Sequence, residues 1–131
     1  MIFVDSNVPM YLVGRPHPAK ERLGQVLRDL VIRQIQLVTS VEVYQEILHR
    51  YVSIGRREAI GDAFAWLDQV VQRTLTYDLA EIRLARQILA EVEGLSARDA
   101  LHVAVMRTAG ISQIVSMDRG FDRCPGIERV H

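Results

Sequence analysis

The chain opens on an apolar run, Ile2-Phe3-Val4, that stops at an acid, Asp5, followed by Ser6 and Asn7. The run does not alternate polar with apolar, so it predicts a short strand buried on both faces, as strands are when helices cover a parallel sheet. Asp5 then falls at the carboxyl end of that strand, beside the crevice where open α/β sheets bind their ligands. Alone, Asp5 or Asn7 reads equally well as the cap of a following helix. Three later acids in comparable positions favour chemistry.

Downstream the pattern alternates between helix and short strand. Pro9 falls in a first helical turn, where its missing N–H costs nothing, and Gly14 ends that short helix. Leu23, Val26, Leu27, Leu30 and Val31 recur at helical spacing, which predicts a helix from about Pro18 to Arg33, followed by a strand at Gln36–Val38. Thr39 and Glu42 fit a capping box opening the next helix, with Glu46 one turn further on and without a capping role. Arg56 and Arg57 start another helix with Ile60, Phe64, Leu67 and Val71 on its buried side, and Leu75–Tyr77 reads as a strand. Asp78 and Glu81 form a second capping box, for a helix to about Glu93 closed by Gly94. Ser96 and Asp99 fit a third, opening the helix that carries His102. The last predicted strand, Gln113–Met117, again ends in an acid, Asp118. Such alternation is that of a layered α/β domain.

Composition narrows the function classes. With 131 residues, 49% of them hydrophobic, the expectation is one domain spanning residues 1–131. Sixteen basic and sixteen acidic residues cancel, so no global field draws the chain to nucleic acid or membrane, and any polyanion site must be a local patch. Lys20 is the only lysine among fifteen arginines, and arginine suits bidentate phosphate contacts. The single cysteine, Cys124, allows neither an internal disulfide nor a thiolate metal cluster. No stretch approaches transmembrane length and no signal segment is visible at the start, so a soluble, cytoplasmic protein is expected.

Parallel strands joined by helices present their carboxyl ends on one side of the sheet. Asp5 and Asp118 at strand ends, with Glu46 and Asp99 near helix starts, are therefore predicted to converge, and Asp122 is a candidate fifth acid. Such a cluster repels itself and so partly protonates or binds cations. Hard oxygen ligands without Cys or His select Mg²⁺ or Mn²⁺. His17 and His102 are read as a loop residue and a packed helix residue.

In order and setting, these residues resemble the PIN domain. The motifs are Asp5 in Val-Asp-Ser-Asn, Glu46 in Gln-Glu-Ile-Leu-His-Arg, Asp99 in Ala-Arg-Asp-Ala-Leu-His-Val-Ala, and Asp118 in Ser-Met-Asp-Arg-Gly-Phe-Asp. Length and opening resemble in particular the VapC-type toxins of type II toxin–antitoxin pairs. The resemblance implies a short central parallel sheet flanked by helices and a Mg²⁺-dependent endoribonuclease, with Mn²⁺ a substitute. It further implies a homodimer and a cognate antitoxin. It assigns catalysis to Asp5, Glu46, Asp99 and Asp118, metal ligation to Asp5, Asp99 and Asp118, and supporting polar roles to Asn7 and Ser116. Glu42 is a rival to Glu46, and Asp122 to Asp118.

Arg15, Arg50, Arg98 and Arg119 lie close in sequence to the acids and are candidates to meet RNA phosphates. With zero net charge and no paired histidines, the expected reaction is hydrolysis by water at one or two ions, in structured RNA such as a tRNA or rRNA loop. The expected inhibitor fills an apolar groove and sets a cationic side chain near the acids. A haloacid-dehalogenase-type phosphatase fits poorly, because Asn7 stands where its second Asp belongs. A non-catalytic or housekeeping RNA-processing domain of the same fold remains the alternative.

Overall fold

The first strand, β1 (Ile2–Val4), is the middle of the sheet, and its three residues are all buried, as their unbroken apolar character requires. The computed structural model describes residues 1–131. Chain order is β1, α1 (Asn7–Val13), α2 (Pro18–Ile32), β2 (Leu37–Ser40), α3 (Val41–Ser53), α4 (Ile60–Val70), β3 (Arg73–Leu75), α5 (Leu79–Glu91), α6 (Ala97–Thr108), β4 (Gln113–Val115) and β5 (Glu128–Val130). Short 3₁₀ turns at Arg57–Ala59 and Arg119–Arg123 complete the path. The result is a single domain: a five-stranded sheet of order β3-β2-β1-β4-β5, parallel throughout, flanked by six helices.

That strand order decides where a site can lie. From β1 the chain winds outward through β2 to β3, then crosses to the other side of β1 to lay down β4 and β5. The reversal leaves a crevice beyond the carboxyl ends of β1 and β4, the topological switch point of an open α/β sheet. Phe3 pairs with Ile114 and Val4 with Val115, so Asp5 and Ser116 emerge side by side. On one face, α6 is sunk into the core, with Ala100 through Met106 all buried and α5 packed along it. No helix is long and apolar enough to cross a membrane.

Several elements depart from the sequence reading. The expected strand at Leu75–Tyr77 lies instead at Arg73–Leu75, because pairing with Val38–Ser40 ends at Leu75 and Tyr77 turns its hydroxyl to Glu42, 2.7 Å away. Gln113–Met117 is not the last strand: pairing ends at Val115, and Glu128–Val130 adds an edge strand too short and too polar to show periodicity. On α4, Ala63 and Leu67 are the buried residues, while Ile60 and Phe64 are only partly covered. The capping box at Thr39 and Glu42 does not form. Thr39 belongs to β2 and donates to the Val4 carbonyl at 2.9 Å, Ser40 takes the N-cap position, and Glu42 accepts from Tyr77. At Asp78 and Glu81 the capping box is present.

Candidate active site

Asp5 is held by three donors. The Ser6 amide reaches its Oδ1 at 2.8 Å, while Ser116 Oγ at 2.6 Å and Asn7 Nδ2 at 3.2 Å reach Oδ2. Asn7 also closes the switch point itself: its Nδ2 donates to Ser116 Oγ at 3.2 Å and its Oδ1 accepts the Met117 amide at 3.2 Å. Ser116 accepts the Asp118 amide at 3.0 Å, and Asp118 Oδ1 accepts the Gly120 amide at 2.8 Å. One network therefore fixes both strand-end acids, and Asn7 and Ser116 are its joints.

Glu46 and Asp99 arrive from helices. Asp99 sits in the first turn of α6, where its amide donates to the N-cap Ser96 Oγ at 3.1 Å. Its carboxylate makes no return bond to the Ser96 backbone and turns to the cleft, so only half of a capping box exists here. Glu46, half-buried on α3, is gripped at both oxygens: Ser6 Oγ donates to Oε1, and Oε2 lies 3.3 Å from His102 Nε2. Together Asp5, Glu46, Asp99 and Asp118 line a cleft of about 610 Å³. Arg50, Arg98, Arg119 and Arg123 line the same cleft, four cations beside four acids.

Two of the charged candidates fall outside it. Asp122 is exposed and bound bidentately by Arg129, at 3.0 and 3.1 Å, and so belongs to an ion pair bracing β5. Arg15 is exposed in the loop between α1 and α2 and does not line the cleft. Ser6 and Arg123 line the cleft, and His102 is buried against two of its acids, yet the sequence reading named none of them as site members. The signal for His102 was its position one turn after Asp99 on the same helix face. The acid cluster also holds a histidine that the sequence reading left out of it: His102 is fully buried against Asp5 (3.7 Å) and Glu46.

The electrostatics follow from crowding. Burial, partly offset by His102 and Ser116, pushes the Asp5 carboxyl above its ordinary range. Burial, the hydrogen bond with Asp118 and the charges of Asp5 and Asp118 raise Asp99 to about 7. For Glu46, burial opposes ionisation, but the hydrogen bonds and charge of His102, with Ser6 and Arg98, outweigh it and hold the carboxyl low. Burial likewise disfavours a charged His102, yet Glu46 and Asp5 win and raise its pKa.

Such a site suits a cation. Carboxylates that oppose one another's ionisation are relieved by a divalent ion, and the hard oxygens of Asp5, Asp99 and Asp118 suit Mg²⁺ or Mn²⁺. Ligand atoms of Asp5 and Glu46 lie within 4.8 Å of each other, with a His102 nitrogen equally close, so carboxylate oxygens from two elements meet at one point beside those of Asp99 and Asp118 in the cleft. The residues present fit a metal.

A five-stranded parallel sheet with a carboxylate cleft at its switch point defines a class, and comparison with known proteins agrees. The PIN domain family model matches residues 2–127. The chain is 49% identical over 130 residues to Ribonuclease VapC13 of Mycobacterium tuberculosis, covering 99% of each. Among solved structures, VapC20 of M. tuberculosis, described as a sarcin–ricin loop cleaving toxin, superposes with a TM-score of 0.72 at 23% identity over 91% of both chains. A toxin–antitoxin complex from Klebsiella pneumoniae superposes at 0.68 and 15% identity, covering 98% of this chain and 96% of that one. This chain belongs to the PIN domain family and, within it, to the VapC group.

Proposed function

We propose that this chain is a Mg²⁺-dependent endoribonuclease, with Mn²⁺ a working substitute, and the toxin of a type II toxin–antitoxin pair acting in the cytoplasm. The observation that carries the reading is the convergence of Asp5, Glu46, Asp99 and Asp118 in one arginine-rimmed cleft. Full-length 49% identity to a VapC ribonuclease supports it. A non-catalytic domain has no need of four crowded acids, which cost stability where no cation offsets them.

Asp5, Asp99 and Asp118 are the proposed metal ligands, and Glu46 acts directly or through water. When bound, the ion supplies Lewis acidity for water attack and neutralises charge at the scissile phosphate. Asp5 enters already oriented by three donors, so little ordering cost remains at the moment of reaction. Arg50, Arg98, Arg119 and Arg123 offer forked donors to the RNA backbone. His102 is fully buried behind Glu46 and Asp5, and no imidazole lines the cleft, so a pair of acid–base histidines for 2′-hydroxyl attack is missing. Water is then the nucleophile. With zero net charge, affinity rests on these few arginines and the ion, which favours structured RNA such as a tRNA or rRNA loop.

Two apolar surfaces support the partners in this reading. Leu12, Leu27, Val31, Ile32, Trp66 and Val70 line a groove between α1, α2 and α4. Helix α1 connects it to the cleft, since Met10 and Tyr11 line the latter, so an antitoxin segment in the groove reaches the acids with a cationic side chain. Val41, Leu48 and Val52 form an exposed stripe on α3, the kind of surface a homodimer covers.

The test is to incubate the purified chain with total RNA and Mg²⁺ and to map the ends. Products with 5′-phosphate and 3′-hydroxyl ends are expected, dependent on metal and insensitive to a 2′-deoxy substitution at the cut. Cyclic-phosphate ends, or full activity in EDTA, would overturn the mechanism.

A further inference from the structure

His102 is the one fully buried titratable side chain among the acids besides Asp5, and its two nitrogens stand in different settings. Nε2 lies 3.3 Å from Glu46 Oε2 and 3.7 Å from Asp5 Oδ1. Nδ1 is buried with no hydrogen-bond partner, and the ring packs against Phe3 with centroids 5.7 Å apart. Two roles are open to an imidazole so placed: a metal ligand through Nε2, or a donor that holds Glu46.

The orphaned Nδ1 separates them. A ligating Nε2 offers a lone pair, which puts the proton on Nδ1, and metal-bound histidines normally give that second N–H to a carboxylate, a carbonyl or water. Here that N–H would be buried with no protein acceptor, and the Nε2 lone pair would face a carboxylate oxygen. With the proton on Nε2, the contact to Glu46 becomes a charge-assisted hydrogen bond and a neutral ring leaves Nδ1 only a lone pair, a far smaller loss. A protonated ring, which Glu46 and Asp5 favour, keeps the same Nε2 donor and has no lone pair to offer a metal. We propose that His102 is a positioning residue: its Nε2–H, acting with Ser6 Oγ on the opposite oxygen, fixes the Glu46 carboxylate so that its remaining lone pairs face the cleft. Glu46 needs such fixing more than Asp5 or Asp118 does, because its neighbours on α3 offer it no backbone donor, whereas those two carboxylates each accept a main-chain N–H. The gripping pair comes from β1's end and from α6, so Glu46 is set by the same two elements that carry Asp5 and Asp99.

The inference rests on the metal-dependent nuclease reading, and its test separates the two. Mn²⁺-loaded wild type is examined by electron spin-echo spectroscopy for ¹⁴N coupling, and Mn²⁺ affinity and RNA cleavage are measured for His102→Leu and His102→Gln. Gln places an N–H donor near the position of Nε2, while Leu removes it. The expected result is no coupling from a directly bound imidazole and roughly tenfold weaker Mn²⁺ binding in the Leu variant. The Leu variant is also expected to show a fall in kcat with KM nearly unchanged, and the Gln variant to recover most of both. A directly bound ¹⁴N signal that disappears on substitution makes His102 a ligand and overturns the proposal, as does a folded Gln variant no better than Leu. Should the Leu variant fail to fold, the wild-type spectrum and the Gln variant decide. Absence of RNA cleavage by wild type that still binds Mn²⁺ as described refutes the nuclease reading while leaving the His102 assignment standing.

Discussion

Ser116 Oγ donates to Asp5 Oδ2 at 2.6 Å, joining residues 111 positions apart in the chain across the ends of two adjacent strands. The same hydroxyl accepts the Asp118 amide and an Asn7 N–H, so one small side chain serves both strand-end acids. Ser116→Ala is expected to cost about 1–3 kcal/mol, because it strands buried partners. RNA cleavage should fall with it, and Ser116→Thr should recover part of both where its extra methyl is accommodated. Urea unfolding beside cleavage rates measures the two effects; an unchanged midpoint would show that the network is dispensable.

The two glutamates of α3 should behave differently. Glu42 accepts from Tyr77 on the flank of the domain, a bond that Glu42→Gln can keep, so activity and stability should stay close to wild type. Glu46→Gln should retain the fold and lose at least 100-fold in kcat, on the order of 3 kcal/mol of transition-state stabilisation. Equal losses at both positions would mean that the wrong acid has been assigned.

Asp99 makes stability depend on pH with a defined sign. Its pKa is about 7 in the folded chain against 3.8 for the free side chain, so between those values the folded state holds a proton that the unfolded state has released. Its contribution therefore falls as pH rises from about 4 to about 7. Asp99→Asn should remove that slope, and the metal-free wild type should lose stability relative to this variant over the window. Thermal melts of both proteins in EDTA across the pH range test it; parallel curves would refute the coupling.

Metal should reverse that loss. Mg²⁺ or Mn²⁺ at 100 times its Kd is expected to add about 2.7 kcal/mol to the folded state. Asp5→Asn should blunt the rise in Tm. A melting temperature indifferent to both ions would remove the metal from the proposal.

Partner recognition can be separated from chemistry. Ile32 is 79% exposed in the apolar groove and lies outside the cleft that holds the four acids, so Ile32→Asp should leave RNA cleavage intact. Inhibition by the cognate antitoxin should weaken markedly. Cleavage assays titrated with the antitoxin give the comparison, and an unaltered inhibition curve would place the antitoxin elsewhere.

The sequence by itself determined what local chemistry can determine. Ile2–Val4 had to be an interior strand because its side chains are apolar on both faces, and Asp5 and Asp118 had to lie at or just beyond strand ends because apolar runs stop at them. Alternation of helix and strand then implied a parallel sheet with those ends on one side, and the four acids were legible together. Tertiary structure decided the rest. Nothing near Thr39 foretells that its hydroxyl is taken by Val4, leaving Glu42 to Tyr77, since both partners are distant in sequence. Glu128–Val130 becomes a strand only because Gln113–Val115 offers it an edge, and the same strand carries the Arg129 that draws Asp122 away from the cleft. His102 looked like one more packed helix residue, and packed it is. Only the approach of α3 to α6 puts Glu46 against its Nε2 and turns a buried imidazole into part of the site.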